Sequence, residues 1–144
     1  MQDIDAIDRT ILSILTKEAR IAMKALAGRI GLSRSATTER VGRLEKAGII
    51  RGYRADIGSL DEGQIRAFLL VTLKRTPSLG VLDRLAGFPA VRKVSSVSGH
   101  LDLVVEVEVA SINALNELRN EVATLDNVED LTTSIVLRRD IERS

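Results

Sequence analysis

The run from Met23 to Tyr53, MKALAGRIGLSRSATTERVGRLEKAGIIRGY, limits the possible folds more than any other stretch of the chain. Small and apolar residues at Met23, Leu26, Ala27 and Ile30 recur at spacings of three and four, which places them on one face of a helix. Gly31 ends that helix, because glycine enters the left-handed conformation at little cost. Ser33 or Ser35 caps the next one by accepting a bond from an otherwise unpaired first-turn N–H. Along this second helix Val41 and Leu44 are expected to point inward with Ala36 and Ala47. That leaves Arg34, Ser35, Thr37, Thr38, Arg40 and Arg43 on an outer face that suits a DNA groove.

Charge strengthens the same reading. Between Arg20 and Arg54 stand nine Lys/Arg and two Glu, a local excess of seven positive charges, whereas residues 61–144 hold ten basic and thirteen acidic side chains. A chain of net charge +1 with its positive charge gathered on one motif has the electrostatic footprint of a nucleic-acid binder. A lone charge run is ordinarily just a solvated face; here it coincides with a helix-turn-helix pattern. Arg40 and Arg43 are candidates for guanine edges or phosphates, and Ser35, Thr37 and Thr38 for bases or backbone. Lys24, Arg51 and Arg54 are either phosphate contacts or plain surface. Tyr53, Phe68 and Phe88 are the only aromatic residues, too few to stack a row of unpaired bases, so double-stranded DNA is the expected substrate.

Several classes are excluded by composition. With no Cys there is no disulfide framework, thiolate metal site or cysteine nucleophile, and a single His rules out a multi-histidine metal site within one chain. Neither a metal nor another cofactor is expected. No apolar run approaches the roughly 20 residues that span a bilayer. The N-terminal MQDIDAIDRT lacks the basic-then-apolar plan of a signal peptide. A soluble, cytoplasmic protein without membrane contact is expected.

The chain in order divides into an α+β arrangement. Asp3 or Asp5 opens a first helix whose Ile4, Ile7, Ile11, Ile14 and Leu15 form an apolar stripe, with Leu12 widening it and Asp8, Arg9, Lys17 and Glu18 facing away. This helix closes a three-helix core over residues 1–57, ending in a short extended arm around Tyr53. GSLDEG, residues 58–63, breaks every pattern and reads as a linker. Residues 64–144 then run strand (64–75), helix from Pro77-Ser78 carrying Leu79, Leu82, Leu85 and Ala86, strand (91–98), and strand (101–109). A helix capped by Ser111 with a stripe of Ile112, Leu115, Leu118, Val122 and Leu125 follows, and a last strand covers 128–139. The order βαββαβ predicts a ferredoxin-like four-stranded sheet with both helices on one face. Its first strand is apolar on both sides: Ile65, Ala67, Leu69, Val71 and Leu73 on one, Phe68 and Leu70 on the other. Helices cover one side only, so a second copy is expected on the other, most simply as a two-fold homodimer.

Two polar features fall in this second half. The turn Gly99-His100-Leu101-Asp102 reads first as a hairpin connection, for which Gly and Asp are ordinary residues. Asp102 also begins a strand of Leu and Val, where a carboxylate can hold a ligand ammonium while the turn's N–H groups meet a ligand carboxylate. His100 reads as a solvent-facing turn residue rather than a proton-transfer group. Thr132, Thr133 and Ser134 interrupt an apolar strand and either line the same pocket or face solvent at a sheet edge.

The residues resemble the Lrp/AsnC family, the feast/famine transcriptional regulators of bacteria and archaea. The likeness covers almost the whole chain: the opening DxxDRxIL at Asp5 to Leu12, the motif LAGRIGLSRSATTERVGRLEKAGII, the Tyr53 arm, and a βαββαβ domain with Gly99-His100-Leu101-Asp102 at its central turn. The resemblance implies DNA binding by dimers, or by rings of dimers such as an octamer. It further implies an amino acid or related metabolite sensed between effector domains, with Gly99, His100, Leu101, Asp102, Thr132, Thr133 and Ser134 as the candidate site. Leu101 and Leu103 stand where the family often has an aromatic residue, which points to an aliphatic or small ligand side chain. Proline, frequent early in the family's recognition helix, is replaced here by Arg34 or Ser35. Two other functions compete. Haem-pathway decarboxylases are similar in fold, but an enzyme of that kind would gather basic or His residues in the second domain, where one His stands in an acidic balance. A stand-alone amino-acid-binding module leaves the basic motif without a purpose. No catalytic residue is assigned.

Overall fold

The structure, a computed structural model, describes residues 3–57 and 63–141. The expected linker, residues 58–63, therefore lies outside the described residues except for Gly63. The chain falls into two compact units that part near residue 58.

The first unit is three helices: α1 (Ala6–Leu15), α2 (Met23–Ile30) and α3 (Arg34–Lys46). Asp5 is the residue that caps α1. Its Oδ1 accepts from the Asp8 N–H at 2.8 Å while Asp8 reaches back to the Asp5 N–H at 3.3 Å, a reciprocal capping box. Gly31 ends α2 in the left-handed region at φ 71°, and Ser33 caps α3 by accepting from the Ala36 N–H at 3.2 Å. At the far end of α3, Gly48 again takes a left-handed turn (φ 70°), and the N–H groups of Ile49 and Ile50 both reach the Leu44 carbonyl. The chain beyond is thereby folded back onto the core of Ile11, Leu15, Leu26, Val41 and Leu44, against which Ile49 and Ile50 pack. Residues 51–57 carry no regular secondary structure.

The second unit is one antiparallel sheet of order β2-β3-β1-β4, from β1 (Ile65–Leu73), β2 (Val91–Ser96), β3 (Leu103–Val109) and β4 (Val128–Ile135), with α4 (Leu79–Ala86) and α5 (Ile112–Ala123). This is the arrangement expected from βαββαβ. Alternation decides its layers. Ala67, Leu69, Val71 and Leu73 on β1 and Leu103, Val105, Val107 and Val109 on β3 pack into one core with Val81 and Leu85 of α4 and Leu115, Leu118 and Val122 of α5. Burial of this kind stabilises by roughly 25 cal/mol per Å² of apolar surface, and the aligned strands bring it about together. Both helices lie on that face. The opposite face presents Phe68, Leu70, Val104 and Glu106, each only half-buried, with Leu70 directly across from Val104 and Thr132.

Several side chains sit differently from the sequence reading. Leu79 and Ile112, expected in the buried stripes, are 71% and 49% exposed because each is the first residue of its helix. On α4 Val81 fills the core instead. Ala47 caps α3 from the outside. The strands are shorter than expected: β4 ends at Ile135, leaving Leu137 almost fully exposed, and β3 starts at Leu103. No helix among the described residues is long and apolar enough to cross a membrane.

Candidate functional site

The outer face of α3 is smaller than the sequence pattern implies. Thr37 is fully buried, and its hydroxyl donates to the Ser33 carbonyl at 2.9 Å. A threonine satisfied by its own helix can sit among apolar neighbours, so the alternation of polar residues misleads at this position. Thr37 faces the core and not the outer side of α3. Arg34, Ser35 and Thr38 are exposed, as expected.

Arg40 and Arg43 face a partner inside the unit. Asp8, expected to face solvent, is 1% exposed, and its carboxylate accepts from Arg40 at 2.8 Å and from Arg43 at 3.1 Å. Asp5 accepts from the same Arg40 nitrogen at 2.6 Å. Two acids from the start of α1 thus clamp two arginines of α3. The Asp5 carboxyl is held below the ordinary range, first by the Asp8 N–H and then by Arg40, and Arg40 is raised by Asp5 and Asp8 in turn. Arg40 is thereby held against the start of α1 by two carboxylates. Arg43 keeps a side chain 47% exposed and stands at the rim.

This pairing also revises the charge count. Over residues 3–57 there are eleven basic and seven acidic side chains, an excess of four for the whole unit against seven for residues 20–54 alone. Asp5, Asp8 and Glu18 precede the counted run but fold against it, Glu18 holding Arg29 through two bonds of 2.7 and 3.1 Å. Arg34 and Lys46 form no ion pair among the described residues, whereas Arg43 is paired yet half-exposed. The arm is tied to the same helix by the Tyr53 hydroxyl, which donates to Glu45 at 2.8 Å. Desolvation, then that bond, push the Tyr53 phenol up to about 12.

The Gly99–Asp102 turn is wider than a two-residue connection. The last ladder bond runs from the Val97 N–H to the Asp102 carbonyl, so residues 98–101 form the loop, with Gly99 at φ 101°. Asp102 is already engaged within the fold, since its N–H donates to the Val71 carbonyl at 2.9 Å and its Oδ2 accepts from the Leu73 N–H at 2.7 Å. The side chain pins the hairpin to the end of β1. Gly99, His100 and Leu101 make no backbone hydrogen bond among the described residues, and the first two are exposed.

Thr132, Thr133 and Ser134 are not brought together. Thr132 and Ser134 lie on the open face, opposite Leu70 and Phe68, whereas Thr133 points to the helix side opposite Leu69. There its hydroxyl is buried without a hydrogen-bond partner among the described residues. A run of three polar residues in a strand cannot share a face, because side chains alternate at every residue.

Known proteins match both units of the chain. A winged helix-turn-helix DNA-binding model matches residues 4–51, and the Lrp/AsnC ligand binding domain matches residues 66–144. The leucine-responsive regulatory protein of Escherichia coli K12 is 36% identical, over 94% of this chain and 86% of its own length. The solved structure of Escherichia coli AsnC superposes with a TM-score of 0.87 at 32% identity, covering 99% of this chain and 98% of that one. A transcriptional regulator of Neisseria meningitidis, solved as a complex with L-Met, superposes with a TM-score of 0.83 at 25% identity over 97% and 94% of the two chains. Fold and site define a transcriptional regulator with a helix-turn-helix DNA-binding domain and a ligand-binding regulatory domain. The chain belongs to the Lrp/AsnC family.

Proposed function

We propose that this regulator binds duplex DNA as a two-fold dimer through α3, and that a small amino acid bound at the Gly99–Asp102 turn changes its affinity. The observation that carries the reading is the exposed, capped α3, with Arg34, Ser35 and Thr38 facing outward and Arg43 at its edge. Arg34 and Arg43 are assigned to phosphates or guanine edges, and Ser35 and Thr38 to bases or backbone. Arg40 is assigned to holding the helix. The related proteins are named as regulators, which favours regulation over catalysis for this chain.

The dimer is assigned to the open sheet face, where Phe68, Leu70 and Val104 form an apolar strip on the side away from α4 and α5. Larger rings of such dimers are consistent with the family. At the ligand turn, the unbonded N–H groups of Gly99, His100 and Leu101 suit a carboxylate, and Asp102 retains Oδ1 for an ammonium. An exposed loop does not enclose a ligand by itself, so the second wall comes from another copy. The L-Met complex of the Neisseria relative supports an amino acid as the chemical class. Leu101 and Leu103 favour an aliphatic side chain.

The test is calorimetry with a panel of amino acids on the wild type and on Asp102→Asn. Asparagine keeps an acceptor for Leu73 and removes the charge, which separates the ammonium contact from the structural one. Some amino acid is expected to bind, and Asp102→Asn to bind it about tenfold or more weakly, in keeping with a lost charge-assisted bond. Equal binding by both proteins sinks the ammonium contact; no binding by either leaves the turn as a turn.

A further inference from the structure

The stripe of α3 opposite its buried Thr37, Val41 and Leu44 consists of Ser35, Glu39, Gly42 and Lys46, spaced by four, three and four residues. An acid therefore stands at the middle of the helix face that is proposed to meet DNA. Glu39 is exposed. Arg43, one turn on, is the residue with which a helical Glu ordinarily pairs. Its guanidinium is instead turned to Asp8 at 3.1 Å. Among the described residues the Glu39 carboxylate has no ion-pair or hydrogen-bond partner. Nothing lies within 4 Å of where a Cβ on Gly42 would stand, so the surface beside Glu39 is open.

An unpaired carboxylate in this position repels phosphates and lowers non-specific affinity. It is rewarded only where the groove presents a donor. In the major groove, guanine N7 and O6 and thymine O4 are acceptors, and adenine sets its N7 acceptor beside the N6 amino group. Cytosine offers the N4 amino group and no acceptor on its own major-groove edge. Taking α3 to lie in the major groove as proposed above, we propose that Glu39 is a specificity-determining residue that accepts from cytosine N4 in each half-site and disfavours the other bases there. Lys46 on the same stripe, and Arg34 at the exposed start of the helix, supply the attraction to the neighbouring phosphates that lets an acid approach the groove.

The experiment is selection of bound duplexes from a random-sequence pool by the full chain, comparing wild type with Glu39→Gln and Glu39→Ala at one salt concentration. Because Glu39 is exposed, both variants are expected to melt with the wild type. The wild type should fix cytosine at one position of the half-site. Glu39→Gln should move that position toward adenine, whose N6 and N7 match a glutamine amide, and Glu39→Ala should leave it unselective. On defined duplexes, discrimination for cytosine should fall by about 5- to 10-fold in Glu39→Ala. Affinity for unselected duplex should rise in both variants. Identical base preferences at every position in all three proteins would overturn the assignment. A wild type that selects no sequence at all overturns the seating of α3 and this assignment with it, a failure distinguishable from the first.

Discussion

Replacing Asp8 by Ala is expected to lower the unfolding free energy of the helical unit by about 2–3 kcal/mol. Asp8 is 1% exposed and compensates two arginines, while its carboxylate also closes the capping box of α1. Removing one member of a fully buried ion pair costs about 3–5 kcal/mol, because the remaining charge stays desolvated. Arg40 and Arg43 are partly exposed and regain some water, which places the loss at or below the bottom of that range. Asp8→Asn keeps acceptor capacity and should lose less. Amide hydrogen exchange across a denaturant series reads the two units separately: protection in α1–α3 should drop, and that of the sheet should stay. Undiminished protection in α1–α3 would show the clamp to be without consequence.

A lysine at Leu70 is expected to produce the largest loss of DNA binding of any single change outside α3. Leu70 sits at the centre of the open sheet face, across from Val104 on one side and Thr132 on the other. If two copies share that face, a two-fold axis brings the new charge against Phe68, Val104 and its own symmetry mate, a cost that the diagonal acids Glu106 and Asp130 offset only in part. The helix-side core, from Leu69 and Val71, is untouched. Sedimentation should show monomers of unchanged secondary structure. Two linked half-site contacts can exceed one by about 10²–10⁴ in affinity, so binding to a two-half-site duplex should fall by a factor in that range. A Leu70→Lys protein that sediments as the wild type does would place any dimer elsewhere.

The order of elements is legible in the sequence because periods of two and of three to four barely overlap in this chain. β3 alternates Leu103, Val105, Val107 and Val109 with Val104, Glu106 and Glu108, and α5 repeats Leu115, Leu118 and Val122. Caps are legible for the same local reason at Ser33 and Ser111. What periodicity does not carry is long-range pairing between polar groups. Asp8 looks like an ordinary first-turn acid, and Arg40 and Arg43 like ordinary groove residues, until helix packing sets α1 against α3 and joins residues 32 and 35 positions apart. Asp102 likewise looks like a turn residue, and only the β1–β3 ladder reveals that its carboxylate serves Leu73, 29 positions away. Glu39 is hidden when charge is summed along the run instead of being resolved around the helix. One signal for it is present: the stripe Ser35, Glu39, Gly42, Lys46 is complementary to Val41 and Leu44 and can be drawn from the sequence alone.

The most direct test is fluorescence anisotropy of the full chain on a duplex taken from the selection, at two salt concentrations, with and without the amino acid found by calorimetry. Tight binding that weakens steeply with salt is expected, since phosphate contacts release counterions. The amino acid should shift the affinity by about 5- to 150-fold, a coupling of about 1–3 kcal/mol. Salt-dependent binding that no amino acid alters would contradict ligand control, and the absence of binding at either salt concentration would contradict the assignment of α3 to DNA.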